Sequence, residues 1–288
     1  MKAGDRYALE VAKRIGVDGI DFSLFMHDVR KEGDLYTLGE EAVAEYFTGI
    51  RRYADELGLE IPQTHGRLYG FGITPEDDAA FIRNSELDLL ATGILRAKYC
   101  VVHTPAITWV GDGKSDLEMY GICERMMSAL IPFAKANGVK IAAETHGDSG
   151  KYKKMEFFGY VEHLIESVDS VRKKYDAKDA LCVCVDTGHT NLTVRYGEPS
   201  VGDVMRKLGS RLEVLHLHDN NGLRDQHKIP MTGDLDWTDI LSALDEIGYA
   251  GWYNLENDVT HFGEGFEVEE AAFSVKVLRQ MLNSSKNT

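Results

Sequence analysis

The 288-residue sequence predicts an α/β protein whose parallel sheet closes into an eight-stranded (β/α)8 barrel. Short β-rich runs alternate with amphipathic helical segments, which is the pattern of a parallel sheet with crossover helices. The length is also typical of α/β barrels that form one domain. We therefore expect residues 1–288 to form a single domain.

Seven strands are predicted from short apolar, β-branched runs. They lie at 19–24, 60–65, 99–103, 140–144, 181–186, 213–218 and 252–256. An eight-stranded barrel should begin with a strand, but "DRYALEVAKRIG" at 5–16 is typical of a helix. The first strand is therefore predicted to be missing or truncated at the amino terminus, either because Met1 is an internal start or because the barrel is incomplete there.

The helices are predicted from capping residues and apolar stripes. Thr74 and Pro75 suit the N-cap and first turn of a helix in "TPEDDAAFIRNSELDLLATGIL". Asp236 suits the N-cap of a later helix, and Gly248 suits its end, where a positive φ is needed. The segment "EVEEAAFSVKVLRQML" predicts a helix near the carboxyl end.

Composition and charge argue against several classes of function. The formal net charge is −15, whereas proteins that bind nucleic acids normally carry a basic surface, so no nucleic-acid partner is expected. No run approaches the ~18 apolar residues that span a bilayer, and the amino terminus lacks a secretion signal, so no membrane partner is expected. The four cysteines lie mostly in apolar runs, which predicts free thiols in a reducing cytoplasm.

Metal-capable residues are predicted at the carboxyl ends of six consecutive strands. These ends meet at one face of a parallel barrel, so the side chains should lie close together. The six residues are His65, His103, Glu144, Asp186, His218 and Glu256. Mixed histidine and carboxylate clusters suit Zn²⁺ or Mn²⁺. We predict a metal site with the core ligands Glu144, Asp186, His218 and Glu256.

Two more histidines are predicted to face this site. His189 lies three residues after Asp186, and Gly188 would let the backbone bend between them. His216 alternates with His218 along one strand, so both rings are expected to face the barrel interior.

The loop after the sixth predicted strand carries three further candidates. Asp225 and His227 alternate in "RDQH", so they would share one side of an extended loop, as second-metal ligands or as a substrate clamp. Arg224 remains protonated and cannot bind a metal. It is predicted either to grip a hydroxyl, carboxylate or phosphate of a substrate, or to form a surface salt bridge.

The motifs "AAETHGD", "VCVDTGHTN", "VLHLHDNNGLRDQH" and "GDLDWTDILSALDEIGYAGWYNLEND" resemble those of the xylose isomerase-like superfamily of sugar isomerases and epimerases, which have a TIM barrel fold. The resemblance implies one divalent ion, Mn²⁺, Mg²⁺, Co²⁺ or Zn²⁺, bound by the four predicted core ligands. It also implies that Glu144 and Glu256 exchange a proton next to a sugar carbonyl, through a metal-stabilised enediolate.

The same resemblance implies a small sugar or a sugar-like polyol ketone as substrate, and a homo-oligomer, since dimers and tetramers are common in the superfamily. The substrate-gripping histidine and arginine of the superfamily correspond to His189 and Arg224. The full set of residues predicted to bind substrate is His65, His103, His189, Arg224, Asp225 and His227.

Three alternatives remain open at this point. Glu144 is followed by "THGDSG" where ketose 3-epimerases usually have a Pro-Leu-Asn type turn, so an inosose dehydratase or another sugar lyase is one alternative. The superfamily also contains endonucleases that cut DNA at abasic sites with three zinc ions. The chain matches all nine of their ligands: His65, His103, Glu144, Asp186, His189, His218, Asp225, His227 and Glu256. The third alternative is a barrel that binds a sugar without turnover, although both candidate acid/base glutamates are present.

Overall fold

The computed structural model describes residues 4–103, 105, 113–149 and 154–285, in which strands and helices alternate. Its main sheet contains β1 (Gly19–Ser23), β2 (Glu60–His65), β3 (Tyr99–Val102), β4 (Lys140–Glu144), β7 (Leu181–Asp186) and β8 (Leu212–His216). Every neighbouring pair is parallel, in the order β1-β2-β3-β4-β7-β8. Two short strands, β5 (Asp148–Ser149) and β6 (Lys154–Met155), form a separate antiparallel pair. The parallel α/β architecture predicted from the sequence is confirmed.

The described α-helices are α1 (Asp5–Ile15), α2 (Glu40–Leu57), α3 (Pro75–Ile94), α4 (Asp116–Asn137), α5 (Val161–Lys174), α6 (Thr187–Thr193), α7 (Val201–Leu208), α8 (Trp237–Glu246) and α9 (Glu267–Ser285). The predicted caps are confirmed, because Thr74 and Asp236 accept hydrogen bonds from first-turn amides of α3 and α8. Gly248 follows α8 with a φ of 67°, also as predicted. No helix in the described ranges is long and apolar enough to cross a bilayer.

Buried apolar side chains between the sheet and the helices hold these elements together. Val183 of β7, Leu215 of β8 and Leu130 of α4 are fully buried in one cluster. A second cluster joins β1 to α2, where the rings of Phe22 and Phe47 meet edge to face at 5.9 Å. Complete burial of one such side chain stabilises the fold by roughly 1.5–3 kcal/mol. The strand ends that carry the candidate site therefore rest on a packed core.

The sheet is open beyond β1. One edge of β1 pairs with β2, and within the described ranges no strand pairs with its other edge. Helix α1 precedes β1, and no residue described before β1 forms a strand. A cleft of about 610 Å³ lies at this edge, lined by residues of β1, α1, α9 and the segment 250–259.

The predicted extent of the seventh strand, 252–256, was wrong. Only Leu255 forms a parallel bridge, with Leu217. The backbone of Leu217 bonds to Asn254 and Glu256 at 2.8 and 3.1 Å, so this segment follows the line of the sheet. Because its other side borders the open cleft, no second ladder among the described residues extends it into a full strand.

Candidate active site

Four metal-capable side chains converge where the strands end. Glu144 ends β4, Asp186 ends β7, His216 ends β8, and Glu256 follows the bridge at Leu255. Parallel strands direct their carboxyl ends to one face, so these residues meet although they are far apart in sequence. Their ligand atoms all lie within 4.8 Å of one another. We call Glu144, Asp186, His216 and Glu256 the inner group.

The two glutamates of the inner group share one histidine nitrogen. Nδ1 of His216 lies 2.9 Å from Oε1 of Glu144 and 3.0 Å from Oε2 of Glu256. Glu144, Asp186 and His216 are fully buried, whereas 31% of the Glu256 side chain is exposed. Glu256 is therefore the member of the group that a small molecule can reach from solvent.

Both glutamates are ionised at neutral pH. Burial would raise the pKa of Glu144, but its interactions with His103 and His216 lower it well below its usual value. Burial would likewise raise the pKa of Glu256, and His216 lowers it. Burial would lower the pKa of His216, but Cys184 and the surrounding carboxylates raise it well above its usual value. A proton on His216 thus supplies positive charge among three carboxylates.

The inner group fits a divalent cation. Oε2 of Glu144 and Oε2 of Glu256 are buried, and neither accepts an aligned hydrogen bond from the described residues. Buried carboxylate oxygens require compensating positive charge. Three carboxylates and one imidazole form a donor set that suits Zn²⁺ or Mn²⁺. A cation that replaced the proton of His216 would find its ligands already gathered.

A second metal-capable set lies beyond the strand ends, partly on helix α6 and partly on the loop after β8. His189, Asp225 and His227 place one ligand atom each within 4.8 Å of the others, and we call them the outer trio. Nε2 of His189 and Nε2 of His227 lie 3.3 and 3.1 Å from Oδ2 of Asp225. Burial would lower the pKa of His227, but Asp225 raises it to about 9. Burial would also lower the pKa of His189, and Asp186 and Asp225 raise it well above its usual value.

The structure places His216, rather than the predicted His218, in the four-residue inner group. Strand β8 ends at His216, so His218 lies beyond it, with Nε2 2.9 Å from Oδ1 of Asp186. Its ring stacks on His227 at 3.9 Å, between the inner group and the outer trio. A ligand role for His218 stays a prediction. The alternation of the two histidines in the sequence was the signal for His216.

The remaining predicted strand-end histidines lie against Glu144. Nε2 of His103 is 2.8 Å and Nε2 of His65 is 3.8 Å from Oε2 of Glu144. Nε2 of His65 also lies 3.9 Å from Oε1 of Glu256. Both histidines are buried, so the structure brings them to the inner group as the sequence predicted. Their predicted contact with substrate stays a prediction.

Arg224 lies on the exposed part of the loop that carries Asp225 and His227. Its backbone N–H donates to Oδ1 of Asn221 at 3.2 Å. Within the described part of the chain, its guanidinium forms no ion pair, so the surface salt bridge considered as an alternative is not formed there. The group is available to a ligand, and its predicted role remains a prediction.

Sequence reasoning missed the residue that anchors this loop. Asp219 is buried, and its Oδ2 accepts a hydrogen bond from Nε1 of Trp237 at 2.8 Å. Its backbone pairs with Lys228 in both directions, and a Cβ on Gly233 would lie 2.2 Å from its Oδ1. The "GDLDW" motif therefore packs the loop that presents Asp225 onto the end of β8.

Gly188 is needed for a different reason from the predicted one. It does not have a positive φ, so the turn before His189 does not depend on glycine for its backbone conformation. A Cβ at this position would lie 1.8 Å from Cε1 of His218. Gly188 therefore provides the space that the His218 ring occupies.

The chain belongs to the family described as xylose isomerase-like TIM barrel, which matches residues 9–281. The D-psicose 3-epimerase of Enterocloster bolteae is 27% identical over 224 residues, which is 76% of this chain and 66% of that protein. An uncharacterised protein of Methanocaldococcus jannaschii is 27% identical over 157 residues, or 54% of this chain and 47% of that one. The chain spans only 26% to 66% of the length of the curated relatives it matches.

Solved structures share the fold. A D-psicose 3-epimerase crystallised with D-fructose aligns with a TM-score of 0.72 at 16% identity, over 98% of this chain and 94% of that one. A zinc-bound IOLI protein aligns with a TM-score of 0.71 at 17% identity, over 98% and 93% of the two chains. The sheet described above is thus the sheet of a TIM barrel, and relatives with named activities include sugar epimerases.

Proposed function

We propose that the protein is a divalent-metal-dependent sugar isomerase or epimerase that acts on a small sugar or a sugar-like polyol ketone. The inner group carries the proposal, because two ionised glutamates flank Nδ1 of His216 and Asp186 completes a set of four ligands. The epimerase relative and the zinc bound to the IOLI protein support it. The four cysteines, all free and buried, fit a reducing cytoplasm.

The two glutamates would perform the proton transfer. A bound divalent cation would supply the positive charge that stabilises a sugar enediolate. Glu256 is reachable from solvent and ionised, so it can accept a proton from the carbon next to a sugar carbonyl. Glu144, on the other side of Nδ1 of His216, would take up a proton when substrate binds and deliver it to the opposite face of the enediolate. Glu256 would then release the proton it accepted to solvent, which returns both carboxylates to their starting state.

Polar side chains on both flanks of the inner group would orient the hydroxyls of the substrate. His65 and His103 lie on the flank of Glu144. The outer trio lies beside Asp186, with Nδ1 of His189 3.7 Å from Oδ1 of Asp186, and Arg224 lies on the loop of Asp225 and His227. Imidazole and guanidinium groups donate hydrogen bonds to hydroxyl and carbonyl oxygens, so this lining suits a polyol more than an apolar ligand.

Glu256→Gln tests the proton-transfer role. The amide keeps an oxygen for a cation but cannot accept a proton, so we expect cation binding to survive in part. Solvent deuterium incorporation, followed by NMR across a panel of ketoses and inosose-like ketones, should fall by roughly 10²–10⁴-fold. Asp258→Asn, two residues along the exposed loop, is the matched control. Retained exchange in Glu256→Gln would contradict the scheme.

A second candidate is a zinc-dependent endonuclease that acts at abasic sites. The site contains more metal-capable side chains than one cation can bind. His65, Glu144 and His216 form a further set of possible ligands, and the outer trio forms another. The net charge of −15 opposes binding of a phosphate backbone. Elemental mass spectrometry on protein purified without chelator distinguishes the two. About one metal per chain supports the isomerase, and about three zinc ions with cleavage of abasic DNA would replace it.

A further inference from the structure

The ring of His216 has a carboxylate at each nitrogen. Nδ1 faces Glu144 and Glu256, as described above, while Nε2 lies 3.0 Å from Oδ2 of Asp21. The His216 side chain is fully buried, and the ring of His65 stacks against it at 5.2 Å and 24°. The ring is therefore fixed by packing and by charged partners on both of its polar edges.

Asp21 is itself held from the neighbouring strand. It lies on β1 opposite Gln63 of β2, and Nε2 of Gln63 donates a hydrogen bond to Oδ2 of Asp21 at 2.8 Å. Gln63 is buried, and only 14% of the Asp21 side chain is exposed. The carboxylate thus reaches from the open edge of the sheet, across the interior, to the end of β8.

We propose that Asp21 is a positioning residue that aims His216 at the cation site. A carboxylate beside one nitrogen of a metal-binding imidazole keeps the proton there and leaves the other nitrogen free for the metal. With its proton held at Nε2 by Asp21, His216 presents Nδ1 to the space bounded by Glu144 and Glu256. This role rests on the proposed metal-dependent function.

His218 lacks an equivalent arrangement. Its Nε2 faces Asp186, and its buried Nδ1 has no hydrogen-bond partner among the described residues. The two histidines share a strand direction and a face, yet only His216 has separate carboxylates at its two nitrogens. The contact with Asp21 therefore distinguishes His216 as the histidine of the inner group.

Calorimetric titration with Mn²⁺ tests this role in the wild type, Asp21→Asn and Asp18→Asn. Asp18 immediately precedes β1 and is 78% exposed, so it is a matched control at the same edge. We expect Asp21→Asn to raise the Kd by about 10–100-fold, the usual cost of losing such a partner. Asp18→Asn should leave the Kd within about twofold. An unchanged Kd in Asp21→Asn would overturn the proposal.

A second measurement separates positioning from general destabilisation. Long-range ¹H–¹⁵N spectra of Zn²⁺-loaded protein report which nitrogen of His216 carries the proton. The wild type should be protonated at Nε2, and Asp21→Asn should lose or shift that signal. A purely structural role would lower the melting temperature without changing the spectrum.

Gln63→Leu serves if Asp21→Asn does not fold, since it keeps the carboxylate but removes its hydrogen bond. It should raise the Kd by less than the roughly 10–100-fold expected of Asp21→Asn, and an unchanged Kd with an unchanged spectrum would overturn the proposal. Glu144→Gln shows whether the measured site is the inner group. If the wild type binds cation through Glu144 while Asp21→Asn binds equally well, only the positioning role fails. If the wild type binds neither Mn²⁺ nor Zn²⁺, the proposed function fails and the positioning role fails with it.

Discussion

The inner group and the outer trio use similar ligands on different supports. The inner group lies at strand ends, where register and packing fix each side chain, and Glu144 and Asp186 are fully buried. The outer trio lies mainly on loop backbone, with 36% of Asp225 and 28% of His227 exposed. Sites held by strands are more preorganised than sites held by loops. We therefore expect the inner group to bind a resident cation and the outer trio to adapt to a substrate.

The two sets also differ in the protons they hold. The inner group has three carboxylates and one histidine with a raised pKa, His216. The outer trio has one carboxylate and two histidines with raised pKa values, His189 and His227. A cation that binds the inner group must displace one histidine proton, whereas a cation that binds the outer trio must displace two.

The largest expected effect comes from Asp186→Asn, because Asp186 joins the two sets. It belongs to the inner group, and its Oδ1 accepts a hydrogen bond from the N–H of His189 at 2.6 Å. Loss of a residue that only hydrogen-bonds to a metal ligand typically weakens metal binding by roughly 10–100-fold. Asp186 is a proposed ligand itself, so we expect the Kd for Mn²⁺ to rise by more than that. Asp179→Asn, at an exposed residue before β7, should have no effect on the calorimetric titration. A wild-type Kd in Asp186→Asn would remove this residue from the ligand set.

The next largest expected effect is a difference between the two sets in how Zn²⁺ affinity depends on pH. Below about pH 9, His227 carries a proton that a cation must displace, so Zn²⁺ affinity should increase as pH rises towards that value. The affinity should change by about tenfold per pH unit for the inner group, and by up to about a hundredfold for the outer trio. Calorimetry in buffers of different ionisation enthalpy counts the protons released. Asp225→Asn should abolish the steep pH dependence of Zn²⁺ binding at the outer trio and leave that of the inner group unchanged. Equal pH dependence of Zn²⁺ affinity at the two sets would contradict the comparison.

The smallest effect is expected from Trp237→Phe, which removes one hydrogen bond to the anchoring carboxylate of Asp219. Leaving this buried oxygen without its donor should lower the free energy of unfolding by about 1–3 kcal/mol, measured by urea denaturation. Binding at the outer trio should weaken slightly, while binding at the inner group stays constant. Trp252→Phe, at a side chain that is 40% exposed, is the control. If Trp237→Phe weakened cation binding equally at both sets, the loop anchored by Asp219 would not stabilise the outer trio independently of the inner group.

Local sequence signals predicted the elements but not every contact between them. Thr74 and Asp236 cap their helices through amides within three residues, so sequence alone contained that information. Apolar runs ending in Glu144 and Asp186 likewise marked the strand ends. The choice between His216 and His218 depends on where β8 stops and on Asp21, which is 195 positions away. Asp21 was missed because it lies within β1 and has no signal at a strand end.

The open edge of β1 has a consequence for amide exchange. The N–H of Leu24 bonds to the carbonyl of His65, so the alternate residues Asp21 and Ser23 direct their amides away from β2, towards the open edge. An edge strand that pairs on one side only opens locally with ease, and such openings expose its hydrogen-bonded amides to solvent. Those openings would carry Asp21 with them and briefly release its hold on His216. Binding of a cation at the inner group should therefore slow deuterium uptake along β1, at some distance from the cation itself.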